Sequence, residues 1–307
     1  MPAKTNKSEK IAIVDIGSNS VRLVIYALRG KRTLRLDEKK VTCGLARGMT
    51  HKKPRLNRKG SALALKALRK FRLIIDRHEP QTILAIGTAA MRAVKHTNKG
   101  RAFHRKAENA LGHKIDVISG RLEARLTAMG VMAVLPKAAG ICGDLGGGSL
   151  ELASIRGGKV GHTTTLPLGS LTLITESGRD ALRAEALMRG KLRKVGWLKA
   201  GRGKTFYPIG GSWRAIARII KRRRGKSWKM VQGYSVSARV AKRYAAALAL
   251  QPPSFFRRMP DKIRARADVI PYAAAVLHEI ISLMQPARVT FSGHGVREGL
   301  LASTLKD

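Results

Sequence analysis

The chain writes the same short pattern, Asp-apolar-Gly-x-x-Ser, twice, each time between two runs of strand-forming residues. The first copy lies in IAIVDIGSNSVRLVIY (11–26) and uses Asp15, Gly17 and Ser20; the second lies in GICGDLGGGSLELASI (140–155) and uses Asp144, Gly146 and Ser149. Each copy reads as a hairpin with an acid closing the first strand and a Gly- and Ser-rich turn. The copies stand about 130 residues apart, too far for a solenoid repeat, so the pattern marks a duplicated domain. Strand, glycine turn and helix then recur in TILAIGTAAMRAV (82–94), TFYPIGGSWRAIARII (205–220) and ARVTFSGHGVREGLL (287–301). Between these units the spacing of Leu65, Leu68, Phe71 and Ile75 predicts a helix over 59–78, and further helices are expected near 101–111, 120–135 and 180–198. A short strand is expected at 114–119. Strands mixed with helices imply α/β layers, in two similar halves with a cleft between them.

With 307 residues and 44% hydrophobic composition the chain can bury two cores of ordinary size. Its charge is extreme: 61 Lys and Arg against 19 Asp and Glu, a formal net charge of +42. A polyanion would relieve that self-repulsion, and nucleic acid, an anionic membrane or a phosphate polymer would each qualify. The densest run, KRRRGK (221–226), reads as a solvated loop after a helix, and the polar opening MPAKTNKSEK reads as frayed. No stretch of about 18 apolar residues is present and no secretory leader is recognisable, so the reading is a soluble cytoplasmic protein without a membrane partner. Cys43 and Cys142 form no CxxC pair, which argues against a disulfide framework or a zinc site. LHEIIS (277–282) lacks the second histidine of a zincin, and GRGKT (201–205) lacks the earlier glycine of a P-loop, Leu198 standing in that place.

The two hairpin turns carry the chemistry. Glycines let the backbone approach an anion and aim successive N–H groups at it, while Ser18, Asn19, Ser20 and Ser149 add side-chain donors. Asp15, Asp144 and Glu151 are hard oxygen ligands of the kind Mg²⁺ uses beside phosphates. A single such hairpin would read as a capped turn; two of them in a chain so poor in acids point to phosphate and metal. The three strand-Gly-helix units put Arg92, Arg214 and Arg297 near helix N-termini, where anions bind, and Arg92 is the strongest of these. Glu123 falls in the first turn of its helix, between Arg121 and Arg125; helix-dipole stabilisation is the default account of a lone glutamate there, and a surface ion pair a second.

Taken in order, VDIGSNSVRLVIY, GTAAMRA, ISGRLEARL, GDLGGGSLEL, GGSWRAIARI and SGHGVREGLL resemble the exopolyphosphatase/guanosine pentaphosphate phosphatase (Ppx/GppA) family, over residues from about 10 to 303. The resemblance implies an α/β protein of two ribonuclease H-like, actin-like (ASKHA) domains flanking a cleft, in a short form without the C-terminal helical domain of longer members. The expected division is 1–124 and 125–295, with a C-terminal helix, 296–307, packing back on the first domain. The implied activity is Mg²⁺-dependent release of terminal orthophosphate from inorganic polyphosphate, with pppGpp as the alternative substrate. A basic nucleic-acid-binding protein on a degenerate enzyme fold is the rival from another class, although 5% aromatic residues leave few stacking platforms. Nucleic acid is otherwise expected to bind only non-specifically, and the assembly expected is a homodimer. By the resemblance Glu123 matches the catalytic glutamate, Asp144 and Glu151 the metal-associated acids, and Arg92 a phosphate-contacting arginine. Ser18, Asn19, Gly146, Gly147, Gly148 and Ser149 match the phosphate-cradling loops. One departure stands beside Glu123: Leu122 occupies the place of a second acid usual in the family.

Overall fold

The computed structural model describes residues 9–30, 32–50, 52, 54–227 and 229–305. Residues 1–8 of the opening expected to fray lie outside them, while Glu9 and Lys10 already belong to the first strand. Two compact units divide the chain, Met1–Ile118 and Ser119–Asp307. The division falls just ahead of a helix that belongs whole to the second unit.

In the first unit, β1 (Glu9–Ile16) pairs antiparallel with β2 (Ser20–Arg29), and β2 with β3 (Arg32–Thr42). The chain crosses through α1 (Arg58–His78) to β4 (Thr82–Gly87), parallel to β1, and then through α2 (Ala89–Val94) and α3 (Asn98–Leu111) to the two-residue β5 (Asp116–Val117). The resulting order is β3-β2-β1-β4-β5. Alternation along the hairpin turns Ala12, Val14, Ile16, Val21, Leu23 and Ile25 to one face, where they pack with Leu68, Phe71 and Ile75 of α1 and Phe103 and Ala107 of α3. The predicted stripe thus builds this core, with Leu65 at its half-buried margin. Asn57 starts α1 by accepting from Gly60 N at 2.8 Å, and Glu79 ends it in the left-handed conformation.

The second unit opens with α4 (Gly120–Val134), followed by the meander β6 (Gly140–Leu145), β7 (Leu150–Arg156) and β8 (Lys159–Leu166). After α5 (Ser170–Ser177), α6 (Ala181–Leu192) and a 3-10 turn, Gly196–Gly201, β9 (Thr205–Ile209) lies parallel to β6. Then come α7 (Gly211–Arg223), the edge strand β10 (Tyr234–Ser237) and the helices α8 (Ala238–Ala249), α9 (Pro253–Arg257), α10 (Asp261–Arg264) and α11 (Ile270–Met284). The unit closes with β11 (Arg288–Phe291), parallel to β9, and α12 (Val296–Thr304). The sheet order is β10-β11-β9-β6-β7-β8. Without β10 it repeats the first unit strand for strand, which is the duplication the two hairpins announce.

The sequence predicts two strands at each hairpin, and the structure has three. The extra strands, β3 and β8, lie at sheet edges, β3 largely exposed and β8 mostly half-buried, and neither has a fully buried residue, so they carry little of the apolar pattern that marks a core strand. KRRRGK is only partly the loop expected: Lys221–Arg223 form the last turn of α7, and the solvated loop begins at Arg224, the run being exposed apart from half-buried Lys221.

The two faces of the second sheet carry separate clusters. Ile141, Leu145, Leu150 and Leu152 pack with Trp213 and Ile216 of α7 and Leu277 and Ile280 of α11. The other face presents Cys142 and Ala153 to Ala124, Ala128 and Val131 of α4. Burial, with the Asp144 carboxylate nearby, pushes the Cys142 thiol up to about 12, so it is the small core residue the sequence suggests. α12 packs on α4 at backbone contact: a β-carbon at Gly299 would strike the Leu126 carbonyl, and one at Gly130 the Gly295 carbonyl. Among the described residues no helix is long and apolar enough to cross a membrane.

α12 is held at its start by Glu298, whose Oε2 accepts from Gly295 N at 2.8 Å. Burial raises this carboxyl, but the charge of Arg297 and the Gly295 N–H outweigh it and bring it below its ordinary value of 4.5. Glu298→Ala is expected to lower the unfolding free energy by about 1–3 kcal/mol at neutral pH. A carboxyl lowered on folding stabilises fully above its unfolded pKa, and that contribution disappears as pH falls through the native value. Urea titrations of wild type and variant should therefore differ at pH 7 and converge in acid. A constant gap at every pH would assign the loss to packing instead.

Candidate active site

The loop 146–149 is built by reciprocal hydrogen bonding. Gly146 N donates to Ser149 O at 3.0 Å and closes the turn between β6 and β7. The first N–H groups of α5 then take the loop's carbonyls: Ser170 N to Gly146 O at 3.0 Å, and Leu171 N and Thr172 N to Gly147 O at 2.9 and 3.1 Å. Thr172 Oγ1 adds a bond of 2.9 Å to Gly148 O. These are helix-terminal donors that lack partners within the helix. A trans peptide plane points its N–H opposite to its C=O. With three successive carbonyls turned onto α5, the amides of Gly147, Gly148 and Ser149 point the other way, as a nest for an anion requires.

Beside this loop the register sets Asp144 opposite Glu151, and Glu151 opposite Thr165. One row across β6, β7 and β8 therefore carries two carboxylates and a hydroxyl on one face, the face covered further along by α4. Glu151 is buried, and Thr165 Oγ1 donates to its Oε1 at 2.8 Å. Asp144 lies among the C-terminal ends of the parallel strands, its Oδ1 3.0 Å from the β-carbon position of Gly210 and its Oδ2 3.3 Å from that of Gly295. Ligands of open α/β sheets bind at this edge. Among the described residues no three His, Cys, Asp or Glu side chains gather into a metal cluster. Two cross-strand carboxylates nonetheless fit Mg²⁺, which takes one or two carboxylates and completes its shell with water and phosphate oxygens.

Glu123 is buried on α4, on the same helix face as Gly120 one turn earlier. Ser119 caps the helix, its Oγ accepting from Leu122 N at 3.1 Å. Leu122 itself is 41% exposed. α4 lies across β7 and β8, the strands of Glu151 and Thr165.

Basic groups surround the same edge. Arg214 of α7 donates from Nη1 to Gly293 O at 2.9 Å. Burial, together with the neighbouring Arg297 and Arg266, lowers its pKa to about 10, against the opposing pull of Asp144 and Glu298. Arg214 thus serves to anchor the loop before α12. Arg266, which the sequence reading did not single out, lies against Gly211 at the start of α7. Its signal in sequence is weak, because nothing in RARADVI distinguishes one arginine of so many.

The first unit repeats the device. Gly17 N bonds to Ser20 O at 3.0 Å, Cys43 N and Gly44 N both reach Asn19 O at 2.9 Å, and Ala46 N reaches Ser18 O at 2.9 Å. The carbonyls of Ser18 and Asn19 being held by the chain after β3, the amides of Asn19 and Ser20 point away from it. Ser18 Oγ is buried without a hydrogen-bond partner among the described residues. Arg92 sits at the same sheet edge, its Nη1 donating to Ile118 O at 3.0 Å, where Thr88 N also ties to Ile16 O at 3.1 Å. The row through Asp15 differs from its counterpart: it continues with Arg22 and Lys40, two cations, instead of Glu151 and Thr165.

Two α/β units with the same strand order, each with an acid beside a glycine-bearing turn, form the actin-like (ASKHA) two-domain fold. A model of the Ppx/GppA phosphatase family matches residues 24–307, and the chain belongs to that family of hydrolases. It is similar over 97% of its length to the crystal structure of an exopolyphosphatase from Cytophaga hutchinsonii, covering 98% of that chain with 23% identity and a TM-score of 0.85. It is also similar to the PPX-GPPA enzyme of Aquifex aeolicus, over 96% of this chain and 99% of that one, with 22% identity and a TM-score of 0.77. At these identities the likeness carries the fold.

Proposed function

We propose that the protein is a Mg²⁺-dependent exopolyphosphatase, releasing terminal orthophosphate from inorganic polyphosphate. The observation that carries this reading is the outward-facing amide loop 146–149 beside the Asp144–Glu151 pair. In this reading the amides of Gly147, Gly148 and Ser149 receive phosphoryl oxygens. The turn Ser18–Ser20 and Arg92 are phosphate contacts of the first unit. Asp144 and Glu151 hold Mg²⁺, which would neutralise charge developing on the phosphoryl oxygens. Asp15 is the weaker metal ligand, since its cross-strand neighbours are cations. Glu123 accepts a proton from the attacking water as its oxygen bonds to the terminal phosphorus and the bridging P–O bond breaks. The shortened polymer leaves with the bridging oxygen.

The net charge of +42 suits a long polyanion lying along basic surface. Binding should release counterions from the polymer, so KM for long chains should rise steeply with NaCl, and KM for tripolyphosphate only slightly. The rate at saturation should change less, because close contacts are screened less than extended ones. The test is phosphate release from long polyphosphate, tripolyphosphate and pppGpp, each with and without Mg²⁺ and across a range of NaCl. Equal salt slopes for the two polymer lengths would remove the extended contact and leave the end-site chemistry in place. Preference for pppGpp would move the assignment to the nucleotide. RNA binding without turnover of any of the three would favour a nucleic-acid protein.

A further inference from the structure

We propose that Thr165 is a positioning residue that sets the Glu151 carboxylate for metal binding and is itself set by the start of α4. The inference rests on the reading of Asp144 and Glu151 as the Mg²⁺ ligands. Thr165 lies directly opposite Glu151 in the β7–β8 ladder, and its Oγ1 donates to Glu151 Oε1 at 2.8 Å. An ionised carboxylate only accepts, so the single hydroxyl hydrogen is committed to Glu151. Ligating carboxylates are commonly oriented by such a second hydrogen bond.

What fixes Thr165 is the helix that carries Glu123. A β-carbon at Gly120 would lie 2.5 Å from Thr165 Cβ and 2.8 Å from its Oγ1, and would strike the Cγ2 methyl outright. The threonine side chain therefore occupies the space that any other residue at 120 would claim. Methyl and hydroxyl share one carbon and a stiff χ1, so seating the methyl against Gly120 also aims the hydroxyl at Glu151. Glu123 stands one turn along the same helix face. Thr165 thereby joins the start of the helix that carries Glu123 to the carboxylate row, beside the packing of Ala124 and Ala128 on Cys142 and Ala153.

Mn²⁺ binding without substrate tests this directly, by electron paramagnetic resonance or calorimetry on the purified protein. Thr165→Val keeps the shape and removes the donor, and is expected to weaken Mn²⁺ about 10–100-fold, the usual cost of losing an outer partner of a metal ligand. Thr165→Ser retains the donor and should bind close to wild type. Gly120→Ala should weaken binding like the valine variant, and the double variant should be no weaker than either, since both act on one hydrogen bond. Wild-type affinity in Thr165→Val, or equal loss in the serine and valine variants, would overturn the inference while leaving the metal reading standing. Absence of Mn²⁺ binding in the wild-type protein would overturn both.

Discussion

Glu123→Gln is expected to release orthophosphate from polyphosphate about 10²–10⁴-fold more slowly than the wild-type protein, the usual contribution of a general base. Binding of the polymer should be nearly unchanged. Glutamine keeps the shape of the side chain and its place on the buried face of α4, so the helix, its Ser119 cap and its packing on Ala153 and Cys142 are retained. What is lost is the ability to take a proton from water. The bland alternative is that a carboxylate in the first turn merely complements the helix dipole, an effect of about 0.3–1 kcal/mol on stability. The two accounts separate in one pair of measurements. Thermal unfolding should move little while turnover collapses; a small loss of stability with near-normal turnover would reduce Glu123 to a dipole partner.

Asp144→Asn and Glu151→Gln should each lower turnover and raise the Mg²⁺ concentration needed for half-maximal rate. Removing a ligand should cost more than the roughly 10–100-fold in metal affinity typical of removing a ligand's own support. The two variants should also differ from each other. Glu151 is 2% exposed and accepts from Thr165, and a glutamine oxygen can keep that bond. Asp144 lies between the backbones of Gly210 and Gly295 and balances Arg214, so its neutralisation should cost stability as well as metal. A Mg²⁺ titration superimposable on wild type in both variants would place the metal on other residues.

Most of what bears on this site is written locally. Asp15-Ile16-Gly17 and Asp144-Leu145-Gly146 end one strand, turn and begin another under short-range rules, and the cap before Glu123 is legible as Ser119. The stripe of α1 follows from periodicity, and the burial of Cys142 from the apolar run that holds it. Leu122, beside Glu123, is 41% exposed and donates its backbone N–H to Ser119.

β3 and β8 are different. Gly157 and Gly158, both with positive φ, form the two-residue turn that starts β8, a hairpin signal present in the sequence. The strand beyond it, KVGHTTTL, is an edge with little to bury, and apolar periodicity alone does not reveal it. Without β8 there is no Thr165 opposite Glu151. The segments that follow β3 and β8 supply the N–H groups that pull the turn carbonyls back and face the amides outward.

The duplication, the two acid-bearing turns, the family resemblance and the helix of Glu123 were legible in the chain alone, because each is read from short motifs whose own residues lie within a few positions of one another, even where the motifs stand far apart. That Asp144, Glu151 and Thr165 share one row, that α5 orients the glycine loop and that Gly120 leaves room for Thr165 emerged from the folded arrangement. Those facts depend on strand register and on helix approach to the sheet. Both are set by side chains far apart in the chain, whose packing no local pattern encodes.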